Sequence, residues 1–393
     1  MKLGLALCGG GAYGAYELGV YKFLKEEKID FDIVTGTSIG ALNGAMFASN
    51  NYDLASELWR NISAEKIFKD GFDIDENFLK HFSLNPKSKF QKVVKSYFKN
   101  FGVDIAPFKK LVKEAIGPID FSKINTKAGI VTCKYPSLSE VDILLNDLNR
   151  NKAVDYLLAS ASCFPAFPIY KIGKEKYVDG GWKNNLPIDF CFNLGADKVM
   201  AIYLDSFPTA QKQEYFSLPN VTLIRPSRVA GKMLSFKKED IESNIQIGYL
   251  DASKLLGNNK GYRYTFKSNK AMMEIANKHM SMLTKKGIKK ALKSIDMLFK
   301  NVKWKLEKNS LNVFLLNLER VLEIYNIDYK KEYGIEQISR ILFNAASIYI
   351  ENKNDANDKE KLALNLLLWK QDINETKSEY SLLDEVLMNS IFD

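Results

Sequence analysis

Histidine is almost absent from this chain of 393 residues; only His81 and His279 occur. Any mechanism that needs an imidazole must therefore use one of those two. Cysteine is nearly as scarce. Cys8, Cys133, Cys163 and Cys191 are widely spaced and form no CxxC pair, which argues against a disulfide framework or a zinc cluster and fits buried reduced thiols. Long apolar runs are missing as well. Leu362 to Trp369, one of the longest, is interrupted by Asn365 and falls far short of the roughly 20 residues of a membrane-spanning helix. The apolar start from Met1 to Cys8 runs straight into Gly9-Gly10-Gly11 without a signal peptide's long apolar region and cleavage site, so a cytoplasmic protein is expected. No convincing internal repeat and no low-complexity tract is found.

What the chain does contain is ordinary globular material, with 46% hydrophobic and 26% charged residues, enough for two or three domains and a large core. The net charge of +9 is unevenly spread. Lys260 to Lys308 carries fourteen Lys or Arg against three acids, whereas Asn309 to Asp393 carries nine against fifteen. The turn formers Gly257-Asn258-Asn259-Lys260-Gly261 mark a domain boundary, giving expected domains 1–257 and 258–393.

Before that boundary, β-type runs (3–8, 31–35, 128–133, 141–145, 198–204, 221–224) alternate with helical stretches (13–27, 38–49, 106–116, 151–160, 239–256). This alternation predicts an α/β layer with a mostly parallel central sheet. After it, helical periodicity recurs at 272–282, 285–300, 311–325, 335–349, 359–370 and 378–389 with no comparable strand signal, which predicts a C-terminal helical region.

Three short segments carry chemistry. Gly36-Thr37-Ser38-Ile39-Gly40 follows a strand and opens a helix, the context in which G-x-S-x-G sets a serine on a sharp strand-to-helix turn; an ordinary helix N-cap is the plainer alternative. Gly9-Gly10-Gly11-Ala12-Tyr13-Gly14 follows the first strand. Its glycines at 9, 11 and 14 also satisfy the dinucleotide pattern, but that use needs an acidic residue at the end of the second strand, and Asp30 and Asp32 stand at the wrong end. Successive glycines also suit an oxyanion hole, because backbone N–H groups unshielded by side chains can converge on developing charge. Neither His81 nor His279 lies in a strand-end loop, so the serine's base must come from elsewhere. Asp179, in Tyr177-Val178-Asp179-Gly180-Gly181, is a carboxylate on a tight turn that can act directly on a hydroxyl if burial raises its proton affinity; taken alone, DGG reads more readily as a simple turn.

Together and in this order, the glycine loop, the Ser38 elbow and the DGG turn resemble the patatin-like phospholipases. The stretch Ala159 to Pro168 before the DGG and Asn185-Leu186-Pro187 after it add to the likeness, which covers about residues 1 to 257. The resemblance implies a three-layer α/β/α fold and a lipid acyl hydrolase of the phospholipase A, lysophospholipase or esterase type. It assigns Ser38 as nucleophile, Asp179 as base and the amides of Gly9, Gly10 and Gly11 as the oxyanion hole, with Tyr13, Gly36, Gly40, Gly180 and Gly181 in support and no metal or cofactor. The family usually has Arg or Lys where this chain has Tyr13, whose phenol can instead donate a hydrogen bond. An acyltransferase using the same acyl-serine and a catalytically weak lipid-binding scaffold are the alternatives.

The expected partner is a phospholipid or other acyl-ester lipid. Lys285, Lys286, Lys289, Lys290 and Lys293, interleaved with Ile288, Ala291, Leu292 and Ile295, form either a basic amphipathic surface that meets anionic membrane through 285–308 or a solvated helix face. No nucleic-acid motif accompanies the charge. The segment from Asn61 to Phe101, with Phe68, Phe72, Phe78, Phe82 and Phe98, is a candidate cover over an acyl pocket.

Overall fold

Strand pairing in the computed structural model begins at Leu3 and organises the first of two compact units, Met1–Ala252 and Ser253–Asp393. The structure describes residues 1–67, 104–164, 166–204, 212–282 and 309–351, and elements are numbered among these. The basic segment 285–308, His81 and the five phenylalanines of the candidate cover lie outside the described residues. Among the described residues no helix is long and apolar enough to cross a membrane, and no disulfide joins the four cysteines.

The sheet of the first unit has eight strands: β1 (Leu3–Leu7), β2 (Ile33–Thr37), β3 (Lys127–Lys134), β4 (Ser139–Leu144), β5 (Tyr170–Ile172), β6 (Glu175–Asp179), β7 (Lys198–Ile202) and β8 (Val221–Ile224). Their order is β5-β6-β3-β2-β1-β7-β8, with β4 paired to β3. The five strands β3, β2, β1, β7 and β8 are parallel, while β4, β6 and β5 join antiparallel. Buried on both faces, β1 and β2 read as continuous small and aliphatic runs rather than as alternation, as a covered parallel sheet requires.

Side-chain parity shows the layers. Leu7 and Val34 face helix α2 (Ile39–Ala48), since a Cβ on Gly44 of that helix would touch both. Gly4 and Gly129 face the opposite side, where they meet Cys191 and Phe190 of α7 (Ile188–Asn193). Helices thus cover both faces, and the fold is the expected three-layer α/β/α with a mostly parallel sheet. The remaining helices are α1 (Ala15–Glu26), α3 (Tyr52–Asn61), α4 (Ala64–Ile67), α5 (Ala106–Ile116), α6 (Arg150–Ser160) and α8 (Lys238–Leu255). Because α8 runs through to Leu255, we place the domain limit after it, at residue 257, as a proposal.

In the second unit, α9 (Lys270–Met282), α10 (Ser310–Ile324) and α11 (Ile335–Glu351) enclose a core that includes Phe266, Met272, Phe314, Leu318, Leu322 and Ile338. Two short strands accompany the expected helices. Thr265–Phe266 (β9) and Glu332–Tyr333 (β10) pair in parallel, and two-residue strands are too short to show any alternation in sequence. His279 lies on α9.

Candidate active site

Between the last residue of β2 and the first of α2, Ser38 adopts φ 56° and ψ −122°. A side-chain-bearing residue holds such a backbone only where its surroundings over-determine it, at a cost of about 1–3 kcal/mol. The flanking glycines supply part of that. A Cβ on Gly36 would stand 2.1 Å from the Gly40 carbonyl oxygen, and one on Gly40 would stand 2.6 Å from that of Leu7. Ser160, at the end of α6, supplies the rest. The Ser38 N–H donates to Ser160 Oγ at 3.0 Å, and that hydroxyl donates to the Val131 carbonyl at 2.7 Å.

Register brings the aspartate to the same point. Along one edge of β3, β2 ends with Thr37 opposite Val131, and antiparallel β6 arrives from the other direction to end with Asp179 opposite Thr132. Two strands thus abut head to head on one edge, and the residues that terminate them face each other. Gly180 is pressed into this junction: a Cβ there would lie 2.3 Å from the Val131 oxygen and 3.0 Å from Thr37 Cγ2.

The Asp179 carboxylate accepts the Gly181 N–H at 2.8 Å, and the Ser38 hydroxyl stands close enough to it to favour its ionised form. It is 6% exposed. Burial raises its pKa to about 6, with Ser38 and Gly181 opposing; desolvation disfavours the charged form more than those two groups favour it.

The glycine loop closes the third side. A Cβ on Gly9 would sit 3.2 Å from Ser38 Cβ and 2.3 Å from Asn185 Oδ1. Gly11 has φ +55°, and a Cβ on it would strike the Met233 carbonyl at 2.3 Å. The three amides are not equivalent. Gly9 N–H donates to the Asn185 carbonyl at 3.1 Å, so it is engaged within the protein, whereas the Gly10 and Gly11 N–H groups carry no hydrogen bond to the described residues. Tyr13 OH donates to the Gly231 carbonyl at 3.3 Å.

The dinucleotide alternative loses its ribose ligand, because Asp32 accepts the Leu3 N–H at 2.8 Å at the other end of the sheet. Beside Ile39 opens a cleft of about 420 Å³ including its mouth, lined by Leu42, Met46, Leu58, Phe108 and Ala115 among others and almost purely apolar.

Residues 5–192 match the sequence model of the patatin-like phospholipases. The chain carries a patatin-like phospholipase domain. A patatin-like phospholipase domain-containing protein of Caenorhabditis elegans is 28% identical over 222 residues, 54% of this chain and 14% of that protein. The neuropathy target esterase sws of Drosophila melanogaster is 28% identical over 210 residues, 52% and 13%. Triacylglycerol lipase 4 of Saccharomyces cerevisiae is 27% identical over 211 residues, 48% and 22%. The chain thus spans less than a quarter of the length of these curated relatives. Among solved structures, VipD from Legionella pneumophila aligns over 99% of this chain and 91% of its own at 14% identity and a TM-score of 0.41.

The patatin-like loop, elbow and DGG turn come together as described, while Ser160 and Asn185 had no role that the sequence alone assigned. Asn185 Nδ2 donates to the Gly9 carbonyl at 3.1 Å, and its own carbonyl takes the Gly9 N–H, clamping the loop on both sides. Both residues lie in the stretches that carried the family likeness, which was the available signal; side-chain-to-backbone anchoring has no spacing signature of its own.

Proposed function

We propose that this chain is a lipid acyl hydrolase that cleaves carboxylic esters through an acyl-serine on Ser38, with Asp179 as its only proton acceptor. The observation that carries the reading is the meeting of the Ser38 hydroxyl with a buried carboxylate where β2 and β6 abut, because it supplies nucleophile and base without an imidazole. Asp179 accepts the hydroxyl proton as Ser38 Oγ attacks the ester carbonyl, and the Gly10 and Gly11 N–H groups receive the developing oxyanion. The proton then passes to the departing alcohol or lysolipid. Water, deprotonated by the same carboxylate, attacks the acyl-serine, and the fatty acid leaves as that proton returns to Ser38 Oγ. A pKa near 6 suits a general base, which is then ionised at neutral pH yet far more basic than an exposed aspartate.

A lipid chain as the acyl part is favoured by the almost purely apolar lining of the cleft at Ile39, the residue after the nucleophile. The names of the relatives point the same way. Fatty-acid release from phosphatidylcholine vesicles and hydrolysis of p-nitrophenyl esters, measured beside Ser38→Ala and Asp179→Asn, test the reading. Both variants are expected to be inactive, and full activity in Ser38→Ala would end it.

A further inference from the structure

Helix α1 buries a stripe that includes Val20 and Leu24, and one position on that stripe is an acid. Glu17 has no exposed surface. A carboxyl in such a place is tolerated only when hydrogen-bonded, and its partners are informative. Oε1 accepts the Cys8 N–H at 2.9 Å, and Oε2 accepts from Asn43 Nδ2 at 2.8 Å. Cys8 is the residue before Gly9, and Asn43 lies on α2, the helix that Ser38 opens. Asn43 Nδ2 also donates to the Gly14 carbonyl at 3.0 Å, while Asn43 Oδ1 accepts the Trp59 indole N–H at 2.9 Å. Burial pushes the Glu17 carboxyl up to about 8, against the two hydrogen bonds that favour its ionised form.

One side chain therefore holds the entry of the glycine loop, and its immediate partner holds the exit. Both are tied to the helix behind the nucleophile. We propose that Glu17 is a positioning residue, fixing the glycine-rich loop against α2 and so setting where the Gly10 and Gly11 amides stand relative to Ser38. Plain core stability is a weaker account, since apolar residues of similar volume commonly stabilise a buried site at least as well as a buried polar network does. What a network adds is orientation. This inference rests on the reading of Ser38 and the glycine loop given above.

Above about pH 8, where the Glu17 carboxyl is ionised, Glu17→Gln keeps an acceptor for Cys8 but turns an amide donor toward Asn43 Nδ2. Misplacing reacting groups by about 1 Å costs on the order of 100-fold in rate, so kcat and the rate of fluorophosphonate labelling at Ser38 are expected to fall about 10- to 100-fold. KM, set by the apolar cleft, is expected to stay within about twofold of the parent value. The double variant Glu17→Gln/Asn43→Asp restores the pairing between positions 17 and 43, because the new amide donates to the new carboxylate, which still accepts from Trp59, but it gives up the donor to the Gly14 carbonyl. It is expected to recover part of the lost labelling rate. Rates within about twofold of the parent in Glu17→Gln, or a double variant no better than the single, folded or not, would overturn the proposal. Ser38→Ala, measured in parallel, separates the two failures. Retained activity there defeats the nucleophile reading, whereas an inactive Ser38→Ala beside an unimpaired Glu17→Gln defeats only the role of Glu17.

Discussion

Replacing Asp179 with Asn is expected to abolish turnover and, at neutral pH, to stabilise the protein. The carboxyl shifts from its ordinary value of 3.8 to about 6 on folding, roughly two pH units at about 1.4 kcal/mol each, or about 3 kcal/mol. The sign follows from proton linkage. Between about pH 4 and pH 6 the folded state binds the proton that the unfolded state has released, so stability falls as pH rises through that window. Below about pH 4 both states are protonated and the burial cost vanishes. Asn cannot ionise, and its side-chain oxygen can still accept the Gly181 N–H. Urea unfolding, followed by the fluorescence of Trp59 and Trp182 in a background with Trp304→Phe and Trp369→Phe, isolates the first unit. The gap between Asp179→Asn and its parent is expected to be near zero at about pH 4 and to widen to about 3 kcal/mol by pH 7.5, while kcat falls by at least about 100-fold. A variant less stable than its parent at pH 7.5, or a gap that ignores pH, would refute the burial argument.

The same shift sets the rate profile: kcat/KM for a p-nitrophenyl ester is expected to rise with pH through about 6 and then level off. A profile still climbing at pH 8 would point to a different base. Ser160→Ala removes the acceptor of the Ser38 N–H and leaves that donor buried, so it is expected to cost about 1–3 kcal/mol in unfolding free energy and to slow labelling of Ser38. Unchanged stability would count against Ser160 as the anchor of the elbow. Ala115→Phe fills part of the cleft at Ile39 and is expected to lower kcat/KM for palmitoyl relative to butyryl esters at least about tenfold, since each methylene denied burial is worth about 0.8 kcal/mol. Equal losses on both esters would show that the chain lies elsewhere.

Much of the first unit was legible because its parallel strands are buried on both faces and write themselves as short apolar runs between helical stretches. The bounds of Val221–Ile224 and Ala106–Ile116 coincide with the expected ones, and β1 and α8 differ by a residue or so. What could not be read was the meeting of β2 and β6 on one edge of β3. Nothing local in 33–37 or 175–179 states that these strands share a neighbour, yet that register is what brings Ser38 to Asp179. The glycine loop was legible as a donor-rich turn but not in its division of labour. The Gly9 amide is taken by a carbonyl 176 residues away, a pairing that only the folded chain defines. Glu17 left a faint trace, an acid in register with an otherwise apolar stripe, where a buried partner is the physical requirement.

On the proposed mechanism an acyl group passes through Ser38 with a carboxylate, and no imidazole, taking the proton. Rapid-quench mass spectrometry during turnover of a p-nitrophenyl ester tests it most directly. An acyl adduct is expected on the peptide containing Ser38, persisting in His81→Ala and His279→Ala and missing in Asp179→Asn. Turnover without that adduct, or an adduct that vanishes with either histidine, would contradict it.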